Sequence, residues 1–355
     1  MSLKAHKSTL TFLFFSFLGL VIAILGVFFL PERFFFDTPT ILFDRYNEIG
    51  WRGSYPFAIM FYHLTGLKHL SFSIIGLIQF SIAIYLIFKI GIPKNFHKTT
   101  AKNLISYLSF ILIGIFLCMP TKEFINIVYI ATIVLLFKKN KHNLSRTVIT
   151  TLLLLIFFGY FFREYYLLIA FLSVVFYLIS KTNIKNKNIA TIFYGLLVAI
   201  SVSLSYGVVK GEFISQKTRE SYNESRKNGV ANNSAITSPI KTDSWYGESF
   251  GIVYGFFSIN LPINGFKHIL SPQIIAFVFW QLLLFIILFI RYERCFKEGI
   301  IDNSEIWIFY ILFSFFIVQG VFEPDLGSAI RHKMGIFPII YYALYYDTFK
   351  KKNEL

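Results

Sequence analysis

Charge is scarce in this 355-residue chain: Asp, Glu, Lys and Arg together make up 15% of it, against about 25% in ordinary soluble domains. With 55% apolar and 19% aromatic residues, that shortage excludes a soluble globular protein. Cysteine is almost absent. Cys118 and Cys295 fall in or beside different apolar runs and offer neither metal-ligand spacing nor a disulfide framework. No CxxC or HExxH occurs, so no metal site is expected. No GxxxxGK[ST] occurs and no GxGxxG follows a strand pattern, so neither a nucleotide-binding domain nor a cofactor is expected. Internal repeats, the mark of many transporters, are also lacking.

What the chain has instead is apolar runs of membrane-spanning length, near 10–30, 72–90, 103–119, 124–137, 147–162, 165–180, 189–209, 273–290, 305–322 and 333–347. Several are short for a hydrocarbon layer about 30 Å thick crossed at about 1.5 Å per residue. The first run follows Lys4 and Lys7, is longer than a signal-peptide core and precedes no A-x-A cleavage site, so it reads as a retained span. The stretch 147–180 is too long for one span and carries Arg163 and Glu164 at its middle, which predicts two short helices turning there, with a broken or re-entrant element as the alternative. The fold class is therefore an all-α polytopic integral membrane protein, a single transmembrane domain over 1–355 with about 10 transmembrane helices (range 9–12).

Ten spans put both termini on one side, and the charges then sort. The face of the termini has 19 basic residues against 6 acidic ones, and the opposite face 15 against 13. Nearly all of the net +15 thus sits on one face. Positive loops stay in the cytoplasm, so both termini are expected there. The basic balance records topology and gives no reason to expect a nucleic-acid partner.

Inner loops are short and built of Lys, Arg and Asn. The outer face differs, with two long segments, 31–71 and 210–272, where function tends to sit. The first mixes aromatics with Asp37, Asp44, Arg45, Glu48 and Arg52, then becomes apolar from Ser54 over a length suited to an interfacial helix. The second is polar and mobile in character to about residue 240, then aromatic over 243–263, with Trp245 and Tyr246 suited to the headgroup level.

Three outer turns carry charges of both signs: Lys122–Glu123, Arg163–Glu164, and the stretch "FEPDLGSAIRHKMGIFPII" with Glu323, Asp325, Arg331, His332 and Lys333. Turns between helices are wet, and solvated charges cost little there; Arg331 could snorkel and His332 could be a surface residue. Three such turns on one face argue against coincidence. Arg163, beside Tyr165 and Tyr166 in an apolar stretch, needs a partner or a ligand. A guanidinium offers bidentate hydrogen bonds to phosphate oxygens, and Lys333 adds a point charge. Glu323 and Asp325 could act as a base or hold the arginine. Without a nucleotide site, an enzyme on this face must use a pre-activated substrate such as a lipid-linked diphosphate sugar.

The stretches "FEPDLGSAIRHKMGIFPIIYYAL", "FFDTPTILFDRYNEIGWRGSYPFAIMFYHLTG", "PTKEF", "FREYYLLIAF" and "INLPI" resemble those of bacterial O-antigen and capsule repeat-unit polymerases, the Wzy-type (EpsG-like) proteins. The resemblance covers most of the chain in layout, and no single motif in it is diagnostic. It implies a membrane glycosyltransferase on the outer face of the bacterial inner membrane. Such an enzyme moves a growing chain from undecaprenyl diphosphate onto the non-reducing end of the next lipid-linked unit, inverting the anomeric centre. The lipid-linked oligosaccharide and the bilayer would be its partners, with a flippase and a chain-length regulator as further ones. By position, Arg331 and Arg163, with Lys333, Lys122, Arg45 and Arg52, would bind the diphosphate. Glu323, Asp325, Glu164 or His332 could accept the acceptor's proton.

Two rivals remain in view. An O-antigen ligase uses the same donor but has a larger outer loop before its last spans, whereas here 210–272 is the large one. A flippase or transporter of lipid-linked sugar should line a central cavity with charges inside its spans, and this chain puts them at the outer ends.

Overall fold

Inside a bilayer no water is present to satisfy amides and carbonyls, so an apolar chain of this kind must satisfy them within helices. The computed structural model describes residues 3–35, 37–43, 49–140, 143–225, 234–299 and 303–351. Among these residues the regular structure is helical, apart from one isolated bridge between Ala235 and Asp325. Among the described residues, six helices are long and apolar enough to cross a membrane: His6–Phe29, Phe72–Ile90, Leu144–Phe161, Lys187–Lys210, Pro272–Glu298 and Ser304–Phe322. Ala101–Leu117 and Tyr165–Ser180 are apolar but shorter. The described residues are thus helical, with the long apolar helices of an all-α membrane protein.

The chain packs as two compact units, Met1–Glu164 with Arg331–Leu355, and Tyr165–Ile330. The first holds α1 (Leu3–Phe29), α2 (Thr38–Phe43), α3 (Ser54–Leu64), α4 (Phe72–Ile90), α5 (Ala101–Leu117), α6 (Lys122–Lys139) and α7 (Leu144–Phe161). The second holds α8 (Tyr165–Ser180), α9 (Lys187–Lys210), α10 (Ser221–Ser225), α11 (Trp245–Asn260), α12 (Pro272–Glu298) and α13 (Ser304–Phe322). The division falls inside α14 (Leu326–Gly335), and α15 (Phe337–Lys351) belongs to the first unit.

In the first unit α1 packs on α4 and α5, and glycines set the closeness of those crossings. A Cβ on Gly76 would lie 2.1 Å from the Ala23 carbonyl oxygen, and one on Gly114 would lie 2.4 Å from that of Gly19. Small residues at such crossings let backbones touch, which is how helices gain packing energy where lipid removes the hydrophobic drive. A buried polar anchor then fixes the turn that precedes α6. The Gln79 side-chain amide donates to the carbonyls of Leu117 (3.1 Å) and Met119 (2.9 Å). The Tyr62 hydroxyl donates to Gln79 and accepts from the Thr121 amide at 2.8 Å. These bonds tie α3 and α4 to the start of α6.

In the second unit α13 is the central helix, packed against α8, α9, α11 and α12 and 94% buried over its apolar window. The 163–164 turn divides 147–180 into α7 and α8, the two-helix alternative. The segments 31–71 and 210–272 contain helices α3 and α11, the latter with exposed Trp245 and Tyr246 at its start. Within 210–240, residues 214–225 form short helical turns; residues 226–233 lie outside the described ones.

The end of the chain departs from the expected pattern. The sequence reads a polar turn followed by one apolar run over 333–347. In the structure Arg331, His332 and Lys333 lie on a helix, α14, and the chain breaks at Ile336 before α15. Asp325 starts α14 by accepting from the Ser328 amide (2.8 Å). Pro338 ends it, because a proline in the first turn of α15 cannot continue a helix begun upstream.

Because a side chain at position 76 or 114 must push backbone apart, Gly76→Val or Gly114→Val should cost about 1–3 kcal/mol. A thermal melt of the purified protein in detergent should show the loss as a lowered transition.

Candidate anion-binding site

The site is built on the first turn of α6. Thr121 caps that helix, its hydroxyl accepting from the Glu123 amide at 3.3 Å. The positive end of the helix dipole suits a carboxylate at Glu123 and opposes a cation at Lys122. Lys122 is nevertheless there and buried. Two groups hold it: the Asp37 carboxylate, 3.4 Å from Nζ, and the Tyr55 ring, whose centroid is 3.5 Å from Nζ. A cation placed against its own helix dipole and then buried is poorly explained by stability.

Beside it, Arg163 from the turn after α7 grips Glu123 with both arms of its guanidinium, Nη2 to Oε1 at 2.6 Å and Nη1 to Oε2 at 3.3 Å. Both side chains are nearly inaccessible, at 5% and 1% exposure. The Asn126 side-chain amide donates to Glu123 at 3.3 Å, and His332 Nε2 on α14 lies 3.5 Å from Glu123 Oε1. Gly335 makes this approach possible, since a Cβ there would lie 2.5 Å from Glu123 Oε2.

The third cation is Arg331, one turn earlier on α14, with Nη1 3.2 Å from Asp37 Oδ2. Asp37 is thus shared between Arg331 and Lys122, while its other oxygen accepts the Tyr55 hydroxyl proton at 2.6 Å. The Arg331–Asp37 edge is the more open part of the cluster, at 22% and 15% exposure. The cluster's cations and carboxylates therefore divide into a sealed Arg163–Glu123 fork and a more accessible Arg331–Asp37–Lys122 chain.

Burial raises the proton affinity of Asp37, but Lys122 and Arg331 outweigh it and hold the carboxyl far below the usual range. Glu123 is likewise opposed by burial and pulled down to about 2 by Arg163, with His332 and Arg331 helping. Lys122 falls to about 8: burial is the main cause, Asp37 opposes it, and the neighbouring arginines add to it. Arg331 is disfavoured by burial and raised by Asp37 and Glu123. Asp37, Glu123 and Arg331 are therefore ionised at neutral pH, with Lys122 close to losing its proton.

Sequence neighbours do not form these pairs. Lys122 binds Asp37 rather than Glu123, Arg163 binds Glu123 rather than Glu164, and Arg331 binds Asp37. Of the sequence candidates, Lys122, Arg163, Arg331 and His332 come together. Lys333 is fully buried on α14, Glu164 is exposed, and Arg52 is exposed over the Tyr160 ring at 4.9 Å. Arg45 lies outside the described residues. Glu323 and Asp325 belong to the second unit, where Glu323 accepts from Gln319 (3.0 Å) and Ser328 (2.7 Å) and Asp325 caps α14. Sequence reasoning missed Asp37, Tyr55 and Glu123 as members of the cluster; their signal was an Asp and an aromatic within 31–71 and an acid beside a lysine at a helix start. It also missed Arg219 in the second unit, a fully buried guanidinium donating to the carbonyls of Gly251 (3.0 Å) and Gly320 (3.1 Å).

Removing one member of a buried charge pair typically costs about 3–5 kcal/mol, so Glu123→Gln should destabilise the protein strongly, and Arg163→Met added to it should recover part of the loss. Both carboxyls have lowered folded pKa values, so their contribution is complete above the ordinary carboxylate range and fades as pH falls through it towards 2. The melting transition should drop below about pH 4.5, and Glu123→Gln should flatten that drop. No protein-family model, no curated protein and no solved structure matches the chain.

Proposed function

We propose that the protein is a polysaccharide repeat-unit polymerase that transfers a growing oligosaccharide from a lipid diphosphate to the next lipid-linked unit. The observation that carries this reading is the convergence of Lys122, Arg163 and Arg331 on two carboxylates at one partly open cluster. A diphosphate diester needs such a set of donors, because the negative charge that develops on the leaving group must be met by fixed cations. In this reading the donor's lipid tail lies in the bilayer and its diphosphate reaches Arg331 and Lys122.

The acceptor hydroxyl oxygen attacks the anomeric carbon and the carbon–oxygen bond to the diphosphate breaks. The lipid diphosphate departs with the bonding electrons, and the hydroxyl proton passes to a base. Of the four candidate bases, His332 is the one beside the cluster, and Glu123 at 3.5 Å can orient its ring. The wider reading has ten spans, both termini in the cytoplasm and the cluster on the outer face of the bacterial inner membrane. Support comes from the charge asymmetry of the loops and from the first unit, where the start of α6 and the ends of α5 and α7 lie at the cluster's end. A flippase supplying lipid-linked units and a chain-length regulator fit as partners.

Purified protein in liposomes with lipid-diphosphate-linked repeat units should yield polymer ladders without any other protein. Arg331→Ala should lower the rate by about two to three orders of magnitude, the usual cost of one lost charge-stabilising donor, and Arg163→Ala should lower it by releasing Glu123 from its clamp at the head of α6. Absence of any product from the wild-type protein with its cognate unit sinks the reading. With Lys122 near 8, the rate in saturating acceptor should fall as pH rises past that value, and Lys122→Arg should move the fall upward.

A further inference from the structure

We infer that Asp37 is a built-in counter-ion that occupies the anion site when it is empty and is displaced by the incoming diphosphate. The inference rests on the reading of the cluster as a diphosphate site.

Asp37 stands immediately before α2, whose Ile41 amide donates to the Asp37 carbonyl at 3.1 Å. An aspartate there ordinarily turns its side chain back to cap the helix amides. This one does not: Oδ1 takes the Tyr55 hydroxyl, and Oδ2 lies between Lys122 Nζ and Arg331 Nη1. Its two ionic contacts, 3.4 and 3.2 Å, are longer than the 2.6 Å contact in the neighbouring fork. The two carboxylates of the site are thus held differently. Glu123 is clamped by a bidentate guanidinium and sealed, while Asp37 bridges two cations at the more exposed edge.

Charge supports an exchange in its direction. Turning Asp37 out removes the one carboxylate that bridges Lys122 and Arg331, and so raises the positive charge around those two cations, as an incoming diphosphate requires. The phosphate oxygens would take over Lys122 and Arg331, the carboxylate would keep its bond to Tyr55, and Glu123 would hold Arg163 throughout.

The device also serves release. After transfer the lipid diphosphate must leave a site of buried cations, which is costly if the cations are then left bare. An aspartate on the same chain can return as the product departs. Asp37 is in this account a positioning and exchange residue, with no bond to a reacting atom.

Inorganic pyrophosphate binding to the full-length protein in detergent, measured by calorimetry and by the shift of the thermal transition, separates the possibilities. Wild-type protein should bind it. Asp37→Asn, relieved of the internal competitor, should bind it about tenfold more tightly, within the range of ordinary coupling between competing equilibria. That variant should melt earlier than wild type without the ligand, gain more from it, and turn over more slowly with full substrate. Lys122→Met should weaken binding, giving a change of opposite sign at the same ion pair. If wild type binds pyrophosphate while Asp37→Asn binds it equally or more weakly, the counter-ion role is overturned and the anion site stands. If neither protein binds it, the anion-site reading fails and takes this inference with it.

Discussion

The Glu123–Arg163 fork is the contact on which the first unit's polar architecture depends. Two charges at 1% and 5% exposure must find each other or be expelled, because neither can be left unpaired in a low-dielectric interior. Pairing them fixes the turn after α7 against the start of α6. The same carboxylate lies against Gly335 and His332, so α14 is fitted to that point too. Replacing such a pair by apolar residues often stabilises a protein. Its retention at the head of an apolar helix is therefore better explained by what it organises than by the stability it confers.

What it organises is a second, looser set. Lys122 sits one residue before Glu123, faces its own helix dipole, and is kept charged by Asp37 and the face of Tyr55. Arg331 reaches the same aspartate from α14. In the proposed exchange the sealed fork keeps the frame, while Asp37 at the more open edge gives way to an external anion. The buried Gln79–Tyr62 anchor behind the 117–121 turn keeps that frame in place.

Much of the helical plan was legible in the sequence because spans are written as apolar runs and turns as charge. The division at Arg163 and Glu164 and the helices within 31–71 and 210–272 follow from those signals alone. The helix carrying Arg331 was hidden, since its charged residues read as a turn and only the cap at Asp325 and the break before Pro338 define it. Four residues of the cluster were legible as types, Lys122, Arg163, Arg331 and His332, because a charge in an apolar context is conspicuous. Their partners were not. Pairing is decided by which helix ends meet, and linear proximity suggested Glu164 and Asp325 where packing chose Glu123 and Asp37. Arg219 escaped for the opposite reason: it lies in a polar stretch, where an arginine looks solvated, and only packing shows it buried.

The central claim is that a lipid diphosphate docks on this cluster. A photoreactive lipid diphosphate analogue, cross-linked to the full-length protein in membranes and mapped by mass spectrometry, tests it directly. The account predicts labelling of the peptides that carry Tyr55, Lys122 and Arg331, suppressed by excess natural lipid diphosphate and lost in Arg331→Ala. Labelling confined to other segments, or unchanged in that variant, contradicts it.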